Sequence, residues 1–202
     1  MIDVYLAALP KQESNITLAC AERQREIDGV SNERVRREKY YVWRLLEYAI
    51  KNSLGADASR LCFTKGNNGR WSSEGLEFSL SHSGDALSVA ISKSPVGVDV
   101  ERIRVKNADR MASYSLTQVE QAEYSSLCEA QREEWLMRRW CAKEAIFKHQ
   151  NKDAYIPSKI ETAEFFSYIT DIEIENEKYI IAVAAEKRDE IRMVYVTENF
   201  AV

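Results

Sequence analysis

Two acidic residues in a short apolar segment carry the first chemical signal of this sequence. In Gly97-Val98-Asp99-Val100-Glu101 the carboxylates of Asp99 and Glu101 are two positions apart. On a β-strand this spacing places both acids on one face and the two valines on the other. Adjacent carboxylates repel unless they are solvated, share a proton or neutralise a cation, and hard divalent ions prefer such oxygen ligands. The segment therefore predicts either a Mg²⁺ site or an exposed strand end with two solvated acids.

A second group of reactive side chains lies in the helical pattern Trp140-Cys141-Ala142-Lys143-Glu144-Ala145-Ile146-Phe147-Lys148. Trp140, Glu144 and Lys148 recur every four residues and share one helix face, with Lys143 at its edge. The pattern predicts an acid flanked by two lysines and large aromatic rings. The alternative is an ordinary Glu144–Lys148 helix pair, which is common and contributes little.

A third motif is Phe78-Ser79-Leu80-Ser81-His82-Ser83-Gly84, where a predicted strand enters a turn. Serine and glycine are ordinary turn residues, but a histidine beside hydroxyls and free backbone amides can bind phosphate. A Ser/His hydrolase is a poorer interpretation of this motif. The sequence contains no GxSxG elbow to present a nucleophilic serine.

The three motifs and their order resemble the Sfp-like 4′-phosphopantetheinyl transferases. That family carries a G-[IV]-D-x-E strand followed by a W-[SC]-x-K-E-[AS]-x-x-K helix, and both match here, as does the upstream L-S-H-S. The resemblance covers residues 58–150, and the C-terminal strands agree in pattern only. It implies transfer of the phosphopantetheine arm of coenzyme A to a serine of an apo acyl or peptidyl carrier protein, with release of 3′,5′-ADP.

The same resemblance implies a role for each matching residue. Asp99, Glu101 and Glu144 would be ligands of Mg²⁺ or Mn²⁺, and Glu144 would also be the base for the carrier serine. Asp99, Lys143 and Glu144 would form the catalytic group. The contacts to the coenzyme A phosphates would come from Arg70, Ser81, His82, Lys143 and Lys148.

Two places depart from the family pattern. Where many members have Gly-Lys-Pro before the L-S-H-S strand, this chain has Gly69-Arg70-Trp71, so that Arg70 keeps a cation and Trp71 removes the proline. The family also supplies basic residues near the first helix for the 3′-phosphate. Several candidates occur here without a fixed register: Arg36, Arg37, Lys39 and Arg44.

The elements that must position these residues follow from periodicity and turn signals. A strand is predicted at Ile2, Val4 and Leu6, a long helix over 32–54, and an antiparallel meander of strands over 61–64, 76–81, 86–92 and 96–101. Thr117-Gln118-Val119-Glu120 has the capping-box form and begins a helical pattern that breaks near Cys128 and runs to about residue 150. Further strands are predicted over 160–166, 171–174, 179–184 and 191–196.

This order predicts an α+β protein made of two similar halves, 1–105 and 106–202, each an antiparallel sheet packed with a long helix. The active site would lie between them. The resemblance implies the 4′-phosphopantetheinyl transferase fold, a monomeric pseudo-dimer with coenzyme A and metal in the cleft.

Composition limits the other functional classes. The chain has 202 residues, 45% of them hydrophobic, and a net charge of −4, which argues against a general nucleic-acid binder. Its four cysteines form no CxxC pair, and neither a signal peptide nor a membrane-spanning segment is predicted, so we expect a cytoplasmic protein without a membrane partner. Basic residues after the acidic strand could form a docking surface for an acidic carrier: Arg102, Arg104, Lys106 and Arg110.

Two other functions compete with the transferase. One is a Mg²⁺-dependent phosphohydrolase that uses the same acids on nucleotide-like substrates without an acceptor protein. The other is a non-catalytic module that binds coenzyme A.

Overall fold

The computed structural model describes residues 1–11, 16–197 and 200. In that part of the chain the helices are α1 (Ala21–Asp28), α2 (Glu33–Leu54), α3 (Ala108–Ser115), α4 (Gln118–Ser126) and α5 (Glu129–Gln150). The strands are β1 (Ile2–Ala8), β2 (Phe63–Lys65), β3 (Trp71–Ser73), β4 (Glu77–Ser83), β5 (Ala86–Ser92), β6 (Val96–Arg102), β7 (Phe166–Ile174), β8 (Glu177–Ala185) and β9 (Ile191–Val196). The α+β prediction is confirmed.

Two sheets form the centre of the molecule. The first has the order β4-β5-β1-β9 and the second β6-β8-β7, while β2 and β3 form a separate hairpin. All pairs are antiparallel except β1 with β9, which run parallel. The predicted meander is therefore wrong at its last strand, because β6 leaves its neighbours in sequence and joins the second sheet.

The two halves exchange strands. β6 comes from the first half of the chain and pairs with β8, whereas β9 comes from the second half and pairs with β1. A division at residue 105 therefore does not separate the sheets, since each sheet contains a strand from the other side of that boundary.

Helix α2 covers the first sheet. Asn32 caps its N-terminus by accepting a hydrogen bond from the backbone N–H of Val35, and Gly55 ends it in the left-handed region at φ 62°. Its buried face, which includes Leu45, Leu46, Ala49 and Ile50, packs in one core with side chains of β1 and β5. The predicted helix over 32–54 is confirmed.

Helix α5 covers the second sheet and packs on β6 and β8. The capping box of Thr117 and Glu120 begins α4, and the chain breaks at Leu127 and Cys128 before α5. Gly97 allows this packing to be very close: a Cβ at this position would lie 1.8 Å from the main-chain oxygen of Ala145. Only glycine lets the strand backbone lie directly against the helix.

An ion pair between a half-exposed arginine and a buried aspartate holds the exchanged strand β9. Arg192 donates from Nε and Nη2 to the two oxygens of Asp3, at 2.8 and 2.7 Å. Asp3 also accepts from the hydroxyl of Ser53 in α2. The bidentate geometry fixes β9 against β1 and connects both strands to the helix above them.

Several elements differ from the sequence predictions. Helices α1 and α3 and strand β3 were not predicted, because α1 and β3 contain few apolar residues and α3 has only eight residues. The strand predicted over 160–166 is replaced by two 3₁₀ turns, Pro157–Lys159 and Thr162–Glu164. The physical reason is that the main-chain oxygens of Pro157 and Ile160 accept hydrogen bonds from Lys143 rather than from a neighbouring strand. Within residues 1–11, 16–197 and 200, no helix is long and apolar enough to cross a membrane.

The close approach at Gly97 generates a stability prediction. Gly97→Ala should lower the free energy of unfolding by about 3 kcal/mol or more, because the three atoms that meet the new methyl group all belong to the α5 backbone. Urea denaturation would measure the change. Gly29→Ala is the matched control, since its Cβ would lie 3.5 Å from the nearest heavy atom. Equal midpoints for the two variants would contradict the prediction.

Candidate active site

Serines at alternate positions of β4 join the two sheets. The main-chain N–H of Val98 donates to Ser79 Oγ at 3.0 Å, and that of Arg102 donates to Ser83 Oγ at 3.3 Å. The period of two along β4 directs these hydroxyls toward β6. The edge strands of the two sheets are thus connected through side chains.

The same serines orient the acids of β6. Ser81 Oγ donates to Asp99 Oδ1 at 2.7 Å, and Ser83 Oγ donates to Glu101 Oε2 at 2.7 Å. Ser81 is buried and directed at Asp99. The structure therefore gives Ser81 a contact with an acid, whereas the sequence predicted one with the phosphates of coenzyme A.

Asp99 is the most enclosed of the candidate ligands, with 3% of its surface exposed. Its Oδ1 accepts from Ser81 and lies 2.6 Å from Lys148 Nζ. Its Oδ2 is buried and has no hydrogen-bond partner in the part of the chain that the structure describes. A buried carboxylate oxygen without a partner is costly unless another group neutralises it.

Glu101 lies beside Asp99 on the same face of β6. Its Oε1 accepts from the indole N–H of Trp140 at 3.2 Å, so that α5 helps to orient it. Burial and the charge of Asp99 raise the pKa of Glu101 to about 7. The two acids therefore repel each other in the absence of a cation.

Glu144 comes from α5 and faces the same region. Burial raises its pKa, and the charge of Asp99 raises it further. The side chain of Tyr155 lies next to it, and the charge of Glu144 is among the causes that raise the pKa of Tyr155, after burial. Asp99, Glu101 and Glu144 thus lie close enough for the charge of Asp99 to act on both glutamates, and we call the three residues the acidic group.

Lys148 is the cation of this group. Its ammonium donates to Asp99 Oδ1 and to the main-chain oxygen of Val98, at 2.6 and 3.2 Å. Burial lowers the pKa of Lys148, but the charge and hydrogen bond of Asp99 outweigh burial, so the pKa is raised overall. The ammonium stays charged, and Lys148 lines a cavity between β4 and the end of α5.

Lys143 lies elsewhere, although it precedes Glu144 in the chain. Its side chain is fully buried, and its ammonium lies 2.7 Å from Glu120 Oε2. It also donates to the main-chain oxygens of Pro157 and Ile160, at 2.9 and 2.7 Å. We therefore withdraw the predicted contact of Lys143 with the pyrophosphate, because all of its donors are used inside the protein.

His82 points away from Ser81, as the alternation of β4 requires. Its Nδ1 lies 3.6 Å from Glu38 Oε2 of α2, and about a third of its side chain is exposed. Burial lowers the pKa of His82, while the charge of Glu38 opposes this effect. The imidazole is accessible to a ligand between α2 and β4.

A cavity of about 450 Å³ lies between the two halves, with one wall from α1, α2 and β2–β4 and the other from the end of α5. Its cationic lining residues are Arg23, Lys39, Lys65, Arg70, Lys148 and Lys152. Of the basic candidates near the first helix, Lys39 lines this cavity, whereas Arg44 lines a different one beside Glu47. Arg23, Lys65 and Lys152 belong to no motif and were not predicted.

The loop that differs from the family pattern closes one side of this cavity. Arg70 donates to the main-chain oxygen of Lys148, and Asn68 donates to the side chain of Asn151 at 3.0 Å. Trp71 is buried against Trp43, with ring centroids 5.2 Å apart, and the guanidinium of Arg23 lies over both rings. Aromatic packing thus holds the loop that contains Trp71, without the proline of the family pattern.

The acidic group fits a divalent cation in its chemistry. Asp99 Oδ2 lacks a partner, and the charge of Asp99 adds to burial in raising the pKa of both Glu101 and Glu144. Among the residues that the structure describes, however, no group of three or more His, Cys, Asp or Glu side chains is already arranged to hold a metal ion. The side chains of Asp99, Glu101 and Glu144 would have to converge when the ion binds.

The remaining nucleophile in this region is Cys141. Its thiol donates to the main-chain oxygens of Asp99 and Ile180, and burial raises its pKa well above the ordinary value. A thiol that is buried and protonated is not a nucleophile. Cys141 therefore has a structural role between α5 and the second sheet.

Comparison with protein-family models matches residues 95–186 to the 4′-phosphopantetheinyl transferase superfamily. A search of curated proteins found no significant match. The matched segment includes Asp99, Glu101, Glu144 and Lys148, but it excludes β4 and the wall of the cavity formed by α1, α2 and β2–β3. The match supports transfer of phosphopantetheine in general and leaves the Sfp-like subfamily as a prediction. The segment that carries the acidic group is thus similar to the 4′-phosphopantetheinyl transferase superfamily.

Proposed function

We propose that this protein transfers the phosphopantetheine arm of coenzyme A to a serine of an apo acyl or peptidyl carrier protein. One observation carries the proposal: the basic cavity between the halves is lined by Lys148, which is paired with Asp99 of the acidic group. Phosphates would bind to the cations, and their reacting part would lie beside the acids. A cation-lined cavity that adjoins such a group suits a pyrophosphate substrate.

The reaction forms one bond and breaks one. The serine oxygen of the carrier attacks the phosphorus that bears the pantetheine arm, and the bond from that phosphorus to the bridging oxygen of the pyrophosphate breaks. The released product is 3′,5′-ADP, which takes the bond's electron pair. Glu144 accepts the serine proton as a positioned carboxylate base.

The protein's own groups stabilise the developing charge. Lys148 is held by Asp99 and the main-chain oxygen of Val98, so its ammonium is fixed at the cavity wall before substrate binds. Arg70 lines the cavity from the first half and would contact the phosphates there. His82, which lies between α2 and β4 and does not line the cavity, would contact them from its rim. A preorganised cation loses little energy to rearrangement during the reaction.

Mg²⁺, or Mn²⁺ in its place, would be held by Asp99, Glu101 and Glu144, and when bound it offsets negative charge on the pyrophosphate. Ser81, Ser83 and Trp140 orient the first two of these acids through hydrogen bonds. The predicted ligand set is retained in this proposal.

The carrier would dock on a second cavity, of about 450 Å³, that follows the acidic strand. Cationic and apolar side chains line it together: Arg104, Val105, Lys106, Arg110, Met111 and Tyr114. Arg102, which the sequence grouped with these residues, pairs instead with Glu177. Since carrier proteins are commonly acidic, this mixed surface suits one of them. Both halves come from a single chain, so we propose that the monomer is the active form.

The proposal predicts the effect of removing the acids. Asp99→Asn and Glu144→Gln should each reduce carrier loading by about a hundredfold or more, because they remove a metal ligand or the base. The assay is mass spectrometry of apo-carriers incubated with coenzyme A, Mg²⁺ and enzyme. Glu173→Gln, at an exposed position of β7, is the matched control and should load normally. No mass gain on any carrier with the unchanged protein would contradict the proposal, and turnover of coenzyme A without a carrier would indicate a phosphohydrolase.

The two lysines of the α5 motif should behave differently. Lys148→Ala should abolish loading by the folded protein, although losing the ion pair with the buried Asp99 also lowers stability. Lys143→Ala should lower the free energy of unfolding by about 3–5 kcal/mol, because it leaves Glu120 charged and buried without its partner. Thermal unfolding of both variants, beside the loading assay, separates the two roles. A stable Lys143→Ala variant that had lost activity would restore Lys143 to the catalytic group.

The cavity wall generates a prediction on coenzyme A binding. Lys39→Ala and Lys65→Ala should each raise KM for coenzyme A about tenfold, since a hydrogen bond between charged groups contributes about 1.5 kcal/mol or more. With dephospho-coenzyme A the variants and the unchanged protein should have similar KM values. Lys187→Ala is the control, because Lys187 is exposed and does not line the cavity. Unchanged KM in both wall variants would place the 3′-phosphate elsewhere.

A further inference from the structure

Each acid on β6 is oriented by a neutral donor. Asp99 accepts from the hydroxyl of Ser81, and Glu101 accepts from the hydroxyl of Ser83 and the indole of Trp140. Such neighbours fix the direction of a carboxylate without cancelling its charge. Glu144 is the third acid of the group, and the donor that could do the same for it is Tyr155.

The ring of Tyr155 lies over the helical turn that carries Glu144. Its centroid is 5.7 Å from the ring of Trp140 and 4.9 Å from the ring of Phe147. Trp140 comes four residues before Glu144 and Phe147 three residues after it, so both flank Glu144 on one helix face. The aromatic contacts therefore fix the ring of Tyr155 over Glu144.

The hydroxyl of Tyr155 is buried and completes no hydrogen bond within the described part of the chain. Buried tyrosine hydroxyls usually have a partner. The nearby acid is Glu144. Burial is the main cause that raises the pKa of Tyr155, and the charge of Glu144 raises it further. Glu144 is therefore the carboxylate to which this hydroxyl could donate.

The segment that carries Tyr155 is anchored from inside the protein. Lys143 donates to the main-chain oxygens of Pro157 and Ile160, directly after Tyr155, and Glu120 balances its charge. Thr162, in the following turn, donates to Glu120 as well. The buried lysine therefore holds the segment against α5 and keeps Tyr155 over Glu144. Lys143 belongs to the helix motif but does not line the cavity, and this anchoring is its structural role.

We propose that Tyr155 is a positioning residue, whose hydroxyl donates to the Glu144 carboxylate and holds it in the direction required for metal binding and for accepting the serine proton. The proposal rests on the proposed function, because it takes Glu144 as ligand and base. It adds a donor from outside the three sequence motifs.

Tyr155→Phe tests this role, because it removes the hydroxyl and keeps the ring contacts with Trp140 and Phe147. A merely structural hydroxyl without a partner can be removed at no cost to stability. We expect an unchanged melting temperature, Mn²⁺ affinity reduced about tenfold to a hundredfold by calorimetry with coenzyme A present, and kcat for carrier loading reduced by a similar factor at nearly constant KM. Tyr195→Phe, at an exposed position of β9, is the matched control and should change none of these quantities.

Different outcomes separate this proposal from the proposed function. If the unchanged protein binds Mn²⁺ but loads no carrier, the proposed function fails, and the Mn²⁺ affinity of Tyr155→Phe still decides the role of Tyr155. Equal Mn²⁺ affinity in Tyr155→Phe and the unchanged protein would overturn the positioning role. Failure of the unchanged protein to bind Mn²⁺ would overturn both.

Discussion

The direct contact between the backbones of β6 and α5 at Gly97 is the constraint on which the candidate site depends. At this distance the helix side chains reach the strand: Lys148 contacts Asp99 and the main-chain oxygen of Val98, and Trp140 contacts Glu101. A methyl group at residue 97 would move α5 away from all of these partners together. The glycine of the first motif and the aligned residues of the second are therefore parts of one contact between a strand and a helix.

A second contact, between β4 and β6, connects this strand–helix unit to the first sheet. The hydroxyls of Ser79, Ser81 and Ser83 join two edge strands that share no backbone ladder. Two of these serines also orient acids, so the groups that hold the sheets together also direct the ligands. The walls of the basic cavity come from both halves, and the cavity exists because the halves are fixed in this way.

Much of the architecture could be predicted from local patterns. The period of α2, its caps at Asn32 and Gly55, and the capping box at Thr117 each follow from a few neighbouring residues, and the structure has all of them. The membership of β6 in the second sheet could not be predicted, because alternation tells which face of a strand is buried and does not tell which strand pairs with it. Which strand pairs with β6 depends on how the apolar faces of the other strands are buried in the folded protein.

The same limit applies to the site residues. A helical period places Lys143 at the edge of the face that carries Glu144, and this position is compatible with contact either with a ligand or with the interior. Its partners, Glu120 and the oxygens of Pro157 and Ile160, are distant in sequence and share no motif with it. Arg23 and Lys65 reach the cavity from α1 and β2, and only the packing of those elements reveals them.

The parallel pairing of β1 with β9 has a consequence for the order in which the protein folds. Ile2 lies opposite Ile191 in this pair, so the first sheet gains β9 only after all the elements from α1 to β8 have been synthesised. Until then one edge of β1 has open hydrogen-bonding groups that another chain could use. Contacts of such long sequence separation also form slowly, because a large loop must close first. A nascent chain would therefore expose this edge until β9 is available, and a chaperone that covers it should increase the yield of folded protein.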